Sequence, residues 1–202
     1  GRSLWEYDMG APVRSKPCVT ADYIVVGSES GDIVGLEFSG ERKWTHNLKR
    51  SVTAAPFVDE VEDVCYVGSF DGFMYALDSS NGYSLWRFRT GGPIISSVAM
   101  DGMFIYFGST DGNFYAVNAE NSKEKWRFTT EQPIVGSPAL HEDRIYFGGT
   151  DGVFYCLDIK TGKEVWTFKV GDAITAKPYI ADDVIIFGSM DQTLYALPLV
   201  GV

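Results

Sequence analysis

Histidine and cysteine are scarce in this chain of 202 residues. The two histidines, His46 and His141, lie far apart in sequence, and no serine or cysteine has an obvious base partner. That distribution argues against His-assisted nucleophilic catalysis, which needs nucleophile and base to converge. The three cysteines, Cys18, Cys65 and Cys156, form no C-x-x-C and no vicinal pair. They read as buried structural thiols. No apolar run approaches the ~18 residues that would suggest a membrane span, and the first ten residues lack the apolar centre of a signal peptide. A start at Gly1 rather than Met fits a processed or excised piece. Cations are also few, 17 Lys and Arg against 27 Asp and Glu, for a formal charge of −10. Nucleic acid is therefore not an expected partner, because phosphate binding needs clustered cations.

What is present is apolar and periodic. Hydrophobic residues make up 45% and aromatics 14% of the chain, enough for a sizeable core. Tryptophan falls at 5, 44, 86, 126 and 166, and a glycine followed by Ser or Gly falls at 27, 68, 108, 148 and 188. A period near forty is a repeat architecture. The stretch Gly148 to Phe168 is its cleanest copy.

Each copy carries four strand signals, here A to D: a stretch through Ser137-Pro138-Ala139-Leu140, then Arg144 to Gly148, Val153 to Asp158, and Glu164 to Phe168. These are short runs rich in β-branched and aromatic residues, bounded by Gly, Asp, Asn or Ser. No segment carries a helical apolar period, so the fold class is all-β. Asp71-Gly72, Asp111-Gly112 and Asp151-Gly152 predict two-residue hairpins between B and C, with a different turn at Ser30-Gly31 and Asp191-Gln192. His46 falls on a D strand and His141 on an A–B loop.

The whole chain reads as one domain, with repeats at about 17–48, 55–90, 96–131, 137–170, and 177–199 completed by 4–9. Leu4-Trp5-Glu6-Tyr7 matches a D strand with no A, B or C before it, and residues 177–197 supply A, B and C with no D after them. The expectation is a monomeric ring of five four-stranded blades closed by the N-terminal strand; an open fragment of a larger ring is the competing account. Radial repetition of this kind leaves only short, protected edges.

The copies FDGFMYALDSSNGYSLWRF, TDGNFYAVNAENSKEKWRF and TDGVFYCLDIKTGKEVWTF resemble the PQQ-like repeat of β-propellers, over residues 4–197. The resemblance implies that Trp5, Trp44, Trp86, Trp126 and Trp166 dock between neighbouring blades, with Ala76, Ala116 and Ala196 as the seat. Gly35 and Cys156 depart from that pattern. Quinone-dependent relatives carry a vicinal cysteine pair and a Ca²⁺ site with a catalytic aspartate, and this chain shows neither pattern. No cofactor, metal or catalytic residue is expected. The turn residues Asp71, Asp111, Asp151 and Asp191 could line up as a crown for a hard cation, but Asp is common in turns for local reasons.

Two charged groups are the candidate sites. Lys16 and Lys177 precede the proline position of their repeats, with Arg14 two residues before Lys16, and the three would gather at a channel mouth if the ring closes, as a weak anion or carboxylate-peptide site. Asp59, Glu60, Glu62, Asp63, Glu142, Asp143, Asp182 and Asp183, with Asp101, fall on A–B loops and predict an acidic face suited to a basic protein segment. The function expected is a non-catalytic protein or peptide interaction or scaffold module. Similar propellers serve in outer-membrane protein assembly and as sensor domains of kinases. The alternative is a small-ligand or carbohydrate sensor using the central channel. The resemblance favours an extracytoplasmic setting, and the unpaired cysteines a cytoplasmic one.

Overall fold

The computed structural model describes residues 1–199, and they form nineteen strands and no helix. The chain divides into two compact units, residues 1–97 and 98–202. The first unit holds two antiparallel sheets. One is β1 (Cys18–Val19), β2 (Ile24–Gly27), β3 (Asp32–Leu36) and β4 (Arg42–Asn47); the other is β5 (Phe57–Asp59), β6 (Val64–Gly68), β7 (Phe73–Asp78) and β8 (Ser84–Arg89). The second unit holds three. They are β9 (Ala99–Met100), β10 (Phe104–Gly108), β11 (Asn113–Asn118) and β12 (Glu124–Thr129); β13 (Ala139–His141), β14 (Arg144–Gly148), β15 (Val153–Asp158) and β16 (Glu164–Lys169); and β17 (Tyr179–Ala181), β18 (Val184–Gly188) and β19 (Leu194–Pro198). In every sheet the strands follow one another in chain order, each antiparallel to the last.

The two middle strands of the first four sheets are near-continuous apolar runs, buried on both faces; the fourth strand alternates exposed and half-buried residues. That is the pattern of strands sandwiched between neighbouring sheets, with a solvated outer edge. Each fourth strand also carries a β-bulge opposite the last small residue of the third strand, between Gly35 and Leu36, Ala76 and Leu77, Ala116 and Val117, and Cys156 and Leu157. A bulge re-aims a side chain. Here the re-aimed residue is tryptophan.

Trp44 is 6% exposed, and its indole N–H donates to Ser79 O at 2.8 Å in the next sheet's third-to-fourth-strand loop. A Cβ added to Gly82 in that loop would lie 2.5 Å from the Trp44 ring. Trp126 repeats the arrangement with Ile159 O, at 3.2 Å, and Gly162. Trp86 and Trp166 lie opposite Ala76 and Cys156 in their own sheets and against the rings of Tyr66 and Tyr146, at 5.8 and 6.0 Å. The seat thus has two halves. A small residue of the tryptophan's own sheet sits behind the ring, and a loop glycine of the next sheet sits in front.

Three expectations are corrected. The B–C hairpins are not two-residue turns: Ser69 N–H donates to Phe73 O and Gly72 N–H to Ser69 O, a three-residue loop in which glycine alone takes positive φ. Ser28–Asp32 and Ser189–Thr193 make the same bonds, so those hairpins do not differ. His141 ends strand β13 rather than lying in a loop. The closing strand is also not found among the described residues: residues 1–17 contain no strand, and the fifth sheet is described with three. Trp5 instead donates to Phe38 O at 2.9 Å and covers Gly40, while Tyr7 and Met9 pack on Val26, Val34 and Leu36 of the first sheet. The reason is local: the indole and the two following apolar side chains have a ready-made seat on the first sheet.

Trp44→Ala should lower stability by ~3–5 kcal/mol, the range for buried aromatic truncations, measured by urea denaturation. Gly82→Ala should cost more than Gly102→Ala. Both sites have positive φ, but a Cβ at Gly102 would meet nothing within 4 Å. Equal losses would mean that backbone strain, not the indole contact, sets the cost.

Candidate functional site

The first-to-second-strand turns and the third-to-fourth-strand loops are tied together within each repeat. Ser79 N–H donates to Asp63 O, Ala119 to Met103 O, Ile159 to Asp143 O and Leu199 to Asp183 O, all at 2.7–3.0 Å. Both sets of loops therefore share one side of their sheet, and the carboxylates of the turns are presented there. Asp63, Glu142 and Asp182 take positive φ in these turns. In the first unit Asp59 accepts from Val61 N–H, and Glu60 accepts from Ala21 N–H at 2.9 Å. Glu62 is exposed on the same loop.

In the second unit the structure brings four of the candidate residues together. Glu142, Asp143, Asp182 and Asp183 line one cleft of about 330 Å³ with His141, Arg144, Tyr146, Val165, Trp166 and Leu199. Its cation, Arg144, is occupied by Asp143 at 3.0 Å and Asp158 at 3.5 Å. Val165 is the residue of β16 left over by the bulge, and it is 43% exposed. The cleft thus combines a carboxylate rim with an apolar wall. Such a site can hold a cationic side chain by charge and its aliphatic stem by contact.

The basic candidates are arranged differently. Arg14 forms an ion pair with Glu29, and Lys16 is exposed in the same unit. Lys177 is exposed in the other unit. A second cleft, of about 410 Å³ in the first unit, was not legible as a site: His46, Lys49 and Arg87 line it with Tyr75 and Trp86. Its sequence signal is weak: cations fall at alternate positions of two fourth strands, Arg87 and Arg89 in β8 and Lys125 and Arg127 in β12.

The sequence profile of the family described as "Beta-alanine-activating enzyme, beta-propeller" matches residues 1–201. The chain belongs to that β-propeller family. Its fold is similar to BamB from Moraxella catarrhalis, at 22% identity over 93% of this chain and 59% of that one, with a TM-score of 0.83. It is also similar to two computationally designed proteins, Ika8 (16% identity, 90% of this chain and 57% of that chain, TM-score 0.81) and Ika4 (18%, 79% and 99%, TM-score 0.70). The chain spans less than three fifths of the length of BamB and of Ika8. A sequence comparison with curated proteins finds no match.

Within the propeller repeats, the turn aspartates make bonds that the sequence reading missed. Asp71, Asp111 and Asp151 each accept the backbone N–H two residues on and the hydroxyl of a tyrosine four residues on, at 2.6 Å to Tyr75, Tyr115 and Tyr155. Asp191 and Tyr195 repeat the pair at 2.8 Å. The signal was the recurring D-x-x-x-Y. Burial, reinforced by the Asp71 bond, pushes the Tyr75 hydroxyl up to about 12. These carboxylates hold their turns together. Cys65 and Cys156 are fully buried and Cys18 is half-buried; burial pushes the Cys156 thiol up to about 11, which keeps it unreactive at neutral pH.

Three aspartates at strand ends are also held below their ordinary pKa: Asp32 by Asn47 and Ser30, Asp78 chiefly by Ser80, and Asp158 chiefly by Thr161. A carboxylate lowered in the folded state stabilises above its unfolded pKa of about 3.9, and that contribution is lost as pH falls through the folded value. The urea midpoint should therefore fall below about pH 4. The Asp78→Asn/Asp158→Asn double variant should show a smaller drop between neutral and acid pH; an unchanged drop would assign the acid sensitivity elsewhere.

Proposed function

We propose that this β-propeller chain is a non-catalytic interaction module that binds a basic, partly apolar protein segment on the acidic loop side of its second unit. The observation that carries the reading is the cleft in which Glu142, Asp143, Asp182 and Asp183 surround Val165, Trp166 and Leu199 while the local cation is already paired. A Lys or Arg entering it meets unbalanced carboxylates, and its stem meets the bulged Val165. Low-affinity, salt-sensitive capture is the expected behaviour, because the rim is exposed to water. The family's description names a β-propeller of a beta-alanine-activating enzyme. In such a setting this chain serves as a docking part, and the activating chemistry is not carried by the residues described above.

A fluorescent peptide of alternating Lys and Leu is the probe. Its anisotropy should rise on titration with the chain, and the affinity should fall with added salt. Glu142→Lys with Asp183→Lys should weaken binding at least about tenfold, equivalent to ~1.4 kcal/mol. A Glu/Leu peptide should not bind. Equal affinity for the two peptides, or no effect of the double charge reversal, would remove the proposal.

A further inference from the structure

The junction between the two sheets of the first unit departs from the repeat at three positions, and all three lie in one place. Two residues beyond the docking tryptophan, β8, β12 and β16 carry Phe88, Phe128 and Phe168, whereas β4 carries His46. Phe128 and Phe168 turn their rings edge-on to Tyr155 and Tyr195 of the following sheet, at 5.5 and 5.7 Å. His46 puts a polar ring in place of that hydrocarbon. Five residues beyond the tryptophan stands Lys49, where the later repeats have Gly91, Glu131 and Gly171. In β8, Ser84 stands two residues before Trp86, where β12 and β16 have Glu124 and Glu164.

The last change releases a guanidinium. Glu124 holds Arg127 through two bonds, at 2.8 and 2.6 Å. Arg87 occupies the same position of β8 without that carboxylate, and it lies over the Phe73 ring at 4.9 Å from the centroid. Among the described residues, no carboxylate forms an ion pair with His46, Lys49 or Arg87. The Tyr75 hydroxyl beside them is engaged by Asp71, at 2.6 Å. These three groups line the cleft of about 410 Å³ to which both sheets contribute, with Tyr75 and Trp86 in its wall.

We propose that this cleft binds a phosphate monoester. A guanidinium takes two phosphoryl oxygens side by side, and an ammonium acts on the same group as a point charge. The imidazole supplies a further N–H donor. A single carboxylate carries one charge for two fixed cations; a phosphoryl dianion balances both. The remainder of the ester lies along the aromatic wall. Since the chain has a formal charge of −10, an anion is drawn here by these local groups and against the field of the whole molecule.

Isothermal titration calorimetry of the full chain with glycerol 2-phosphate, and with a serine-phosphorylated peptide lacking other charged side chains, tests this. Both should bind, whereas glycerol and the unphosphorylated peptide should not. Tighter binding of the peptide identifies a protein side chain as the source of the phosphoryl group, and equal affinities identify a free ester; each result supports the site. Arg87→Gln and Ser84→Glu alter exposed positions, and each should weaken both probes at least about tenfold with an unchanged far-ultraviolet spectrum. Ser84→Glu acts by giving Arg87 the internal partner that Arg127 has. His46→Phe, which restores the ring of the other repeats, should weaken binding without lowering the urea midpoint. Lys163→Gln makes the same charge change on an exposed loop of the second unit and should leave both affinities as they were. No binding at ~10 mM probe, equal binding of the unphosphorylated probes, affinity that survives Ser84→Glu, or an equal loss with Lys163→Gln overturns the proposal.

Discussion

A sheet whose middle strands are apolar on both faces cannot bury itself, and every other feature of this chain follows from that constraint. Tyr146, Phe154 and Cys156 turn one way and Phe147, Tyr155 and Leu157 the other, and both sets are buried. Two such sheets satisfy one face each, so the arrangement is stable only as a series. The indole N–H bond from Trp44 to Ser79 O, and from Trp126 to Ile159 O, fixes how one sheet meets the next, because it leaves the ring in one orientation over a glycine. The period near forty is then the length of chain needed to make four strands and return to the next seat.

Charge is distributed to suit the same geometry. The outer strands carry Arg42, Lys43, Arg87, Arg89, Lys125, Arg127 and Lys169 against Glu124 and Glu164, whereas the first-to-second-strand turns carry carboxylates such as Glu60, Glu62, Asp63, Glu142, Asp143, Asp182 and Asp183. Cations along an exposed edge deter pairing with foreign strands. Several of them lie over aromatic rings, Lys125 at 4.0 Å from the Phe104 centroid and Lys43 at 4.9 Å from Tyr23. A chain of formal charge −10 thus places cations in excess on its outer strands and carboxylates in excess on its first-to-second-strand turns.

The fold was legible because repetition multiplies a weak signal: one Trp or one Asp-Gly means little, but five Trp and three Asp-Gly in phase define strand order. The turn geometry was not, since Asp-Gly suits both two- and three-residue hairpins, and the choice depends on Ser69 and its equivalents, which extend the pairing by one bond. Leu4 to Tyr7 read as a fourth-strand segment, but no strand forms there. The same Trp pattern serves to dock Trp5 on Phe38 O and Gly40, a contact that does not require a strand. The acidic loops could be found from charge alone. Their convergence on Val165 and Trp166 could not, because it depends on the bulge, a register shift that no residue type marks.

Gln192 occupies the turn position that glycine holds in the other repeats, with φ at +72°. A side chain there costs roughly 1–2 kcal/mol relative to glycine. The four glycine turns carry no such cost. The fifth holds the same shape against that strain, through the bond from Ser189 N–H to Thr193 O and that from Thr193 N–H to Asp191.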